Sequence, residues 1–401
     1  MPRRLQQGIA FQPRRRPQPC FRLVLLNVAP ETASITARDA LAEILRMLQE
    51  LRRGQVRELA GQPEKHARAS AAQFSSLRAL IGYGRRFFDL DVHNPPLTRA
   101  QRPDYLSNLP SNPGPFPSLR WAENAAPNRG EADVALQLTS AREAGVNCAV
   151  VEVWKLIEDR RLPLDIVSSF GGFGRHDGRG WLEFHDGVSN MESSQRLDAL
   201  QARPDPAWMA DGTFMAFLRL AIDLGAWRAL ERGDQELLVG RDKLSGAALV
   251  AVEKDEKGRP VPVAGPAPAG DSTEHLAAWR DPPQTVDPIL EASHIHRANQ
   301  NRASSAAAGA HRMLRQGYDF LDGFEHGRPA LGLNFVSFQR DLAALHHVLH
   351  LPGWLGDVNF GGPSQPGGAG PTLVRVQAGG LYAVPSRARP FPGARLFEAE
   401  R

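Results

Sequence analysis

The sequence predicts an α+β protein in which antiparallel sheets carry helices on one face. Three observations lead there. In the first half, segments of strand and helix periodicity follow in the order strand, helix, strand, strand, helix, strand. The second half broadly repeats those elements. Between them run long stretches rich in Pro and Gly that no regular element would hold. The order is that of the ferredoxin-like arrangement. Two ferredoxin-like domains are therefore expected, over residues 1–200 and 201–401, although no internal sequence repeat accompanies them.

Phe21–Val28 is aliphatic and β-branched, as an internal strand would be. Leu41, Ile44, Leu45, Leu48 and Leu51 then recur at the helical period, with Thr36-x-x-Asp39 as an expected cap and Gly54 as the stop. Leu77–Ile81 reads as a strand before a Gly82-Tyr83-Gly84 turn, and Asn94–Pro127 as a long loop. Asp133–Thr139 is a third strand. Val146, Ala149, Val150, Val153, Trp154 and Ile157 fall on one helical face, and Leu164–Val167 returns as a strand. Ser169–Asn190 holds too many glycines for a packed element and reads as turns.

In the second half, Phe214–Asp223 alternates as a half-buried strand, and Ala226–Leu238 predicts a helix. Glu253–Val286 reads as a charged, Pro-rich loop. Gly332–Gln339 is a strand, Asp341–His350 a short helix with three histidines, Gly361–Pro371 a loop and Gly379–Pro385 a late strand.

Composition narrows the function classes. With 401 residues and 42% hydrophobic content the chain can bury a substantial core. The net charge of +4 is modest and the arginines are dispersed, so no nucleic-acid partner is expected. No apolar run would span a membrane. Cys20 and Cys148 form neither a metal spacing nor a disulfide framework. Arg3-Arg4 and Arg14–Arg16 invite a twin-arginine export reading. However, Phe21–Val28 is short and runs through Ala29-Pro30 into a helix, so a cytoplasmic protein is expected.

Two stretches carry the chemistry. Glu291–Gly323 offers His294 in an Arg-rich setting, then a small-residue loop, then Arg312-Met313-Leu314-Arg315-Gln316-Gly317. Trp181–Asn190 supplies an acid, Asp186. Singly each residue has an ordinary reading. Asp186-Gly187 is a turn, His294 a helix-cap histidine, Arg315 a solvated helix residue. His176 and His185 beside Asp177 and Asp186 lack any recognised metal-ligand spacing.

As an ordered set the motifs resemble those of the dye-decolourising (DyP-type) haem peroxidases. Ser293–Asn299 is similar to the segment of the proximal histidine, Arg312–Gly317 to that of the distal arginine, and Glu183–Asn190 to the Gly-x-x-Asp-Gly signature. Gln7-Gly8-Ile9, Trp227 to Gly240-Arg241 and Gly332–Gln339 look like further family landmarks. The resemblance implies one haem b per chain, held in the C-terminal half, with His294 as axial ligand of the iron. It makes Asp186 and Arg315 the catalytic pair on the open side, with Leu333 and Phe335 roofing the pocket. Arg297 and Arg312 are left to pair with the haem propionates. It further implies hydrogen peroxide and a small organic reductant, a dye or phenol, as reactants, a ferryl intermediate, and self-association.

The chemistry explains the residue types. A neutral imidazole holds the iron, a base moves a proton between peroxide oxygens, and a fixed cation stabilises the charge that develops as the bond breaks. The chain departs from the pattern at three places. Glu183 replaces the first glycine of the acid signature, Met191 a common proline, and His296 a usual arginine. The carboxylate behind His294 has no clear sequence signal beyond the position of Asp357. These departures keep open a haem carrier or deferrochelatase-like role, and a haem-free scaffold. Tyr83, Tyr318, Trp181 and Trp354 fit relays for oxidising equivalents, or ordinary core packing.

Overall fold

The computed structural model describes residues 5–9, 17–61, 63–90, 103, 130–185, 193–202, 206–266, 287–298, 313–342, 344–345, 373–387 and 391–397. Outside them lie Asp186, Met191, Arg312, His346, His347, His350, Trp354 and Asp357. Nearly all of the loop expected over Asn94–Pro127, the end of the helix expected over Asp341–His350, and Gly361–Pro371 lie outside as well.

Strand β1 (Cys20–Val28) lies between β3 (Val134–Ser140) and β4 (Leu164–Phe173), with β2 (Arg78–Tyr83) beyond β3. Strand β5 (Thr213–Ile222) opens the second half, and β6 (Leu249–Lys254) and β7 (Pro260–Ala264) form a separate hairpin. Then β8 (Leu314–Glu325), β9 (Arg328–Gln339) and β10 (Val374–Val384) complete a sheet ordered β10-β5-β9-β8. Counted within its own half, each sheet runs 4-1-3-2, all antiparallel, the ferredoxin-like order. The sheets meet edge to edge through Tyr83↔Ala383 and Phe173↔Asp319, closing an eight-stranded barrel among the described residues.

Strand alternation sorts the side chains into two layers. Phe21, Leu23 and Leu25 face Phe217, Val336, Phe338 and Tyr382 inside the barrel. Val24, Leu26, Leu136 and Leu138 face outward, under helices α1 (Ser34–Arg52) and α3 (Glu143–Arg160). The stripe of Leu41, Ile44, Leu45, Leu48 and Leu51 is buried there as expected. Each such side chain contributes roughly 1.5–3 kcal/mol. The polar helix α2 (Glu64–Phe74), buried only at Phe74, gave no apolar stripe to read. Among the described residues no helix is long and apolar enough to cross a membrane.

Several expectations are corrected. The helix α1 starts at Ser34 with Ala33 as cap residue, so Thr36 lies inside its first turn rather than capping it. Trp154 is exposed on α3 instead of joining the apolar face. Strand β2 continues through Gly82 and Tyr83, because a Cβ at Gly82 would lie 2.9 Å from Tyr382 Cβ. That glycine serves close strand packing rather than a turn. For the same reason β4 runs on to Phe173. At Gly171 a Cβ would lie 2.8 Å from an Arg22 guanidinium nitrogen, and at Gly172 2.7 Å from Asn334 Nδ2.

The helix expected over Ala226–Leu238 is two helices, α5 (Leu224–Arg228) and α6 (Arg232–Val239); helix α4 (Ser193–Leu200) precedes β5. The loop expected from Glu253 contains β7, turned by Asp255, whose carboxylate accepts from Lys257 N and Arg259 N at 2.8 Å. Arg315 lies in strand β8, which the sequence did not suggest.

Candidate functional site

The outward face of the second sheet differs from its barrel face. Arg315 pairs with Ser337, Gly317 with Phe335 and Asp319 with Leu333, and paired residues in an antiparallel ladder share a face. Arg315, Leu333 and Phe335 therefore lie on one side, away from the barrel-facing Leu314, Gln316 and Val336. Those barrel-facing neighbours are fully buried, whereas Arg315, Gly317, Leu333 and Phe335 are only half-buried. Met313, Ala298 and Val374 are likewise partly buried against the same core. The result is an incompletely covered apolar surface with a guanidinium at its edge.

His294 and Arg297 begin and end the short helix α8 (His294–Arg297), which follows α7 (Pro288–Glu291). Asp287 caps α7, accepting from Ile289 N at 2.8 Å. Spacing of three residues brings Arg297 beside His294 on the helix surface. Ser293 is buried, and its hydroxyl lies 2.9 Å from His296 Nδ1. His296 is thereby engaged with its own helix at the position where the resemblance expects an arginine.

A turn following α6 joins these parts. Gly240 closes α6 at φ +86, and a Cβ there would lie 2.5 Å from Ser293 Oγ and 2.7 Å from Ile295 Cγ1. Only glycine lets the end of α6 approach the helix that carries His294. Arg241 is buried and donates to Gly246 O at 3.0 Å. Burial, and then the charge of Arg315, push the Arg241 guanidinium down to about 10. It remains protonated at neutral pH. The folded state holds that charge at a cost that falls only above about pH 10. Gly240→Ala is expected to destabilise the fold by roughly 1–2 kcal/mol and to weaken haem binding. Denaturant unfolding and haem titration read the two effects separately.

The turn that leads to Asp186 is clamped to the same segment. Arg179 donates to Lys243 O at 2.6 Å, to Leu244 O at 3.0 Å and to Glu183 O at 2.5 Å, and lies 2.9 Å from His185 Nε2. Phe184 packs edge-on against Trp227, and the Lys243 ammonium lies 5.5 Å from the Phe184 ring centre. The residue immediately before Asp186 is thus fixed beside the segment that holds Arg241. Sequence reading took Gly240-Arg241 only as a landmark. An arginine directly after a glycine beyond the expected helix was the available signal.

Glu183 has φ +64, in the left-handed region, at the position where the resemblance expects glycine. Its ion pair with Lys243, at 3.7 Å, is exposed on the Glu183 side and contributes little. Glu183→Gly should therefore stabilise the protein by about 0.5–1 kcal/mol, seen as a higher denaturation midpoint. An unchanged or lower midpoint would mean that the carboxylate matters more than the backbone.

The remaining sequence readings separate. Asp177 is held by Arg175 in a bidentate pair, which together with the Arg179 N–H keeps its carboxyl below the usual range. Among the described residues no cluster of three or more His, Cys, Asp or Glu could hold a metal ion. Tyr83 and Tyr318 are core residues. Tyr318 stacks on Phe21 at 4.4 Å, and burial pushes both hydroxyls well above the usual range. Trp181 donates to Phe320 O at 3.1 Å and is half-buried.

This donor set fits a haem. An apolar, partly uncovered sheet face suits a flat macrocycle, Arg315 and Arg241 suit anionic groups, and His294 on the adjoining helix suits the iron.

Residues 177–389 match the family described as Dyp-type peroxidase, C-terminal. The Deferrochelatase of Shigella flexneri serotype 5b (strain 8401) is 27% identical over 227 residues, covering 52% of this chain and 48% of that protein. The Deferrochelatase of Escherichia coli (strain K12) is 29% identical over 169 residues, covering 40% of this chain and 34% of that protein. The chain thus spans about half or less of the length of these curated relatives. Among solved structures, DtpA from Streptomyces lividans, in an oxyferrous complex, superposes with a TM-score of 0.69 at 22% identity, over 98% of this chain and 95% of that one. A DyP-type peroxidase from Cellulomonas bogoriensis gives 0.69 at 21%, over 98% and 97%. A variant of DypB from Rhodococcus jostii RHA1, in complex with heme, gives 0.57 at 18%, over 98% of each chain. At these identities the superpositions speak for the fold.

Proposed function

Because the chain belongs to the Dyp-type peroxidase family, we propose that it is a haem b peroxidase that reduces hydrogen peroxide and oxidises a small organic reductant such as a dye or phenol. The observation that carries this reading is the half-uncovered sheet face holding Arg315, Leu333 and Phe335, tied through Gly240-Arg241 to the helix of His294. Haem b bound there would supply the redox chemistry, passing electrons from the organic reductant to peroxide.

The protein's own residues divide the remaining work. His294 would hold the iron through its imidazole. Arg297 and Arg312 would pair with the propionates. Leu333 and Phe335 exclude water from the reacting side, which strengthens every charge interaction there. Asp186 would serve as the base that moves a proton between the two oxygens of peroxide. Arg315 stabilises the negative charge that gathers on the leaving oxygen, as a cation that desolvation does not discharge. We take 1–200, with Asp186, and 201–401, which would hold the haem, as two domains, a reading that the two four-stranded sheets support.

The test is steady-state oxidation of a dye or phenol by haem-loaded protein, with and without peroxide. Peroxide-dependent turnover is expected. Asp186→Asn should keep the haem spectrum and slow turnover by about two to four orders of magnitude; unchanged turnover would remove Asp186 from the mechanism. The second reading, a haem-processing protein that releases iron, draws on the curated relatives bearing the name Deferrochelatase. Free porphyrin and iron, with little dye oxidation, would favour it.

A further inference from the structure

We propose that Leu5–Ile9 is a strap that locks the two sheets of the barrel together, and that the Gln6 side-chain amide is its lock, standing in for a rung that the backbone alone cannot make. The observation begins at the seam. Among the described residues, β2 and β10 share one residue pair, Tyr83↔Ala383. Carried two residues on, that antiparallel register brings Ile81 opposite Pro385. Proline has no N–H to give to Ile81 O, so the ordinary rung cannot form there. Gln6 takes its place. Its Nε2 donates to Ile81 O and to Pro385 O, and its Oε1 accepts from Ile81 N, each at 2.9 Å. Gln6, Ile81 and Pro385 are all buried, so these bonds satisfy backbone groups that water does not reach.

The rest of the segment also holds both sheets. Leu5 and Ile9 pack in the barrel layer with Leu23, Leu80 and Phe338. Gly8 O accepts from Gln137 of β3 at 3.4 Å and from Gln316 of β8 at 3.1 Å, one strand from each half. The opposite seam has a device of the same chemistry. Beside its residue pair Phe173↔Asp319, the Asn334 Nδ2 of β9 donates to Gly171 O of β4 at 2.7 Å. At each seam a buried carboxamide adds to a backbone ladder that is a single pair long. The two seams differ in one respect. Asn334 is part of a barrel strand, whereas Gln6 comes from a segment outside every strand, so its lock can be removed without altering a strand.

The experiment is amide hydrogen exchange on the full-length protein and its Gln6→Met and Gln6→Asn variants. Gln6→Met keeps the length of the side chain and removes the amide. Gln6→Asn keeps the amide on a shorter stem, a milder change that guards against a variant that fails to fold. In Gln6→Met the amides of Ile81 and Ala383, at the seam, should exchange about ten- to a hundredfold faster, with Gln6→Asn in between. Leu23 and Leu25 of β1, held by full ladders to β3 and β4, serve as the reference and should keep the parent's rates. Seam amides that exchange no faster in either variant would overturn the proposal. So would an equal acceleration in β1, which would make Gln6 an ordinary core residue rather than a lock at the seam. The measurement needs no haem, so its outcome is independent of the haem reading.

Discussion

His294→Ala is expected to abolish stable haem binding. On the proposed reading the imidazole would be the protein's bond to the iron, whereas Arg297, Arg312, Leu333 and Phe335 would meet the rest of the macrocycle. Outer-sphere partners of a metal ligand alone typically account for 10–100-fold in affinity. Removing the ligand should weaken haem binding by more than about a hundredfold and remove the sharp Soret band of the parent. The fold should survive, because His294 is half-buried on a four-residue helix rather than in either core layer. His294→Gly with added imidazole should recover a ligated spectrum. An unchanged Soret band in His294→Ala, with its axial ligation intact, would place the iron on another residue.

Arg315→Leu is expected to leave haem in place and slow its reaction with peroxide by about two to three orders of magnitude, the usual effect of losing a group that stabilises developing charge. Stability should not fall. Arg315 is half-buried at the edge of a sheet face, and its removal relieves the repulsion that Arg241 now feels. Stopped-flow mixing with peroxide and thermal unfolding measure the two effects independently. A reaction as fast as the parent's would mean that Arg315 does not face the peroxide. A large loss of stability would make it a structural residue.

Much of the architecture was legible because most strands announce themselves. Phe21–Val28 and Gly332–Gln339 are dense in β-branched and apolar residues, and the α1 stripe has an unbroken helical period. The misread glycines share a cause, close packing within strands. Gly82, Gly171 and Gly172 read as turns, yet each lets another chain segment approach within an extended strand. Strand β8 went unread because neither face is uniformly polar or apolar. Gln316 and Tyr318 point inward with Leu314, while Arg315 and Gly317 point outward.

The candidate site was readable as motifs but not as geometry. His294, Arg315, Leu333 and Phe335 were named from the resemblance of their motifs to the family's. The segment that relates them, Gly240 to Leu244, draws its importance from contacts with residues more than fifty positions away, which local patterning does not encode. The strain at Glu183 was visible only as a missing glycine, and its left-handed backbone gives that departure a physical cost.

The most direct test of the central claim is a single turnover. Haem-loaded protein is mixed with one equivalent of hydrogen peroxide, its absorption spectrum is followed, and a phenolic reductant is then added. If His294 and Arg315 serve one peroxidase site, the resting spectrum converts rapidly to a new one, returns on addition of the reductant, and retains its haem. Progressive bleaching, or a porphyrin spectrum with release of iron, would contradict the account and assign the same pocket to haem processing.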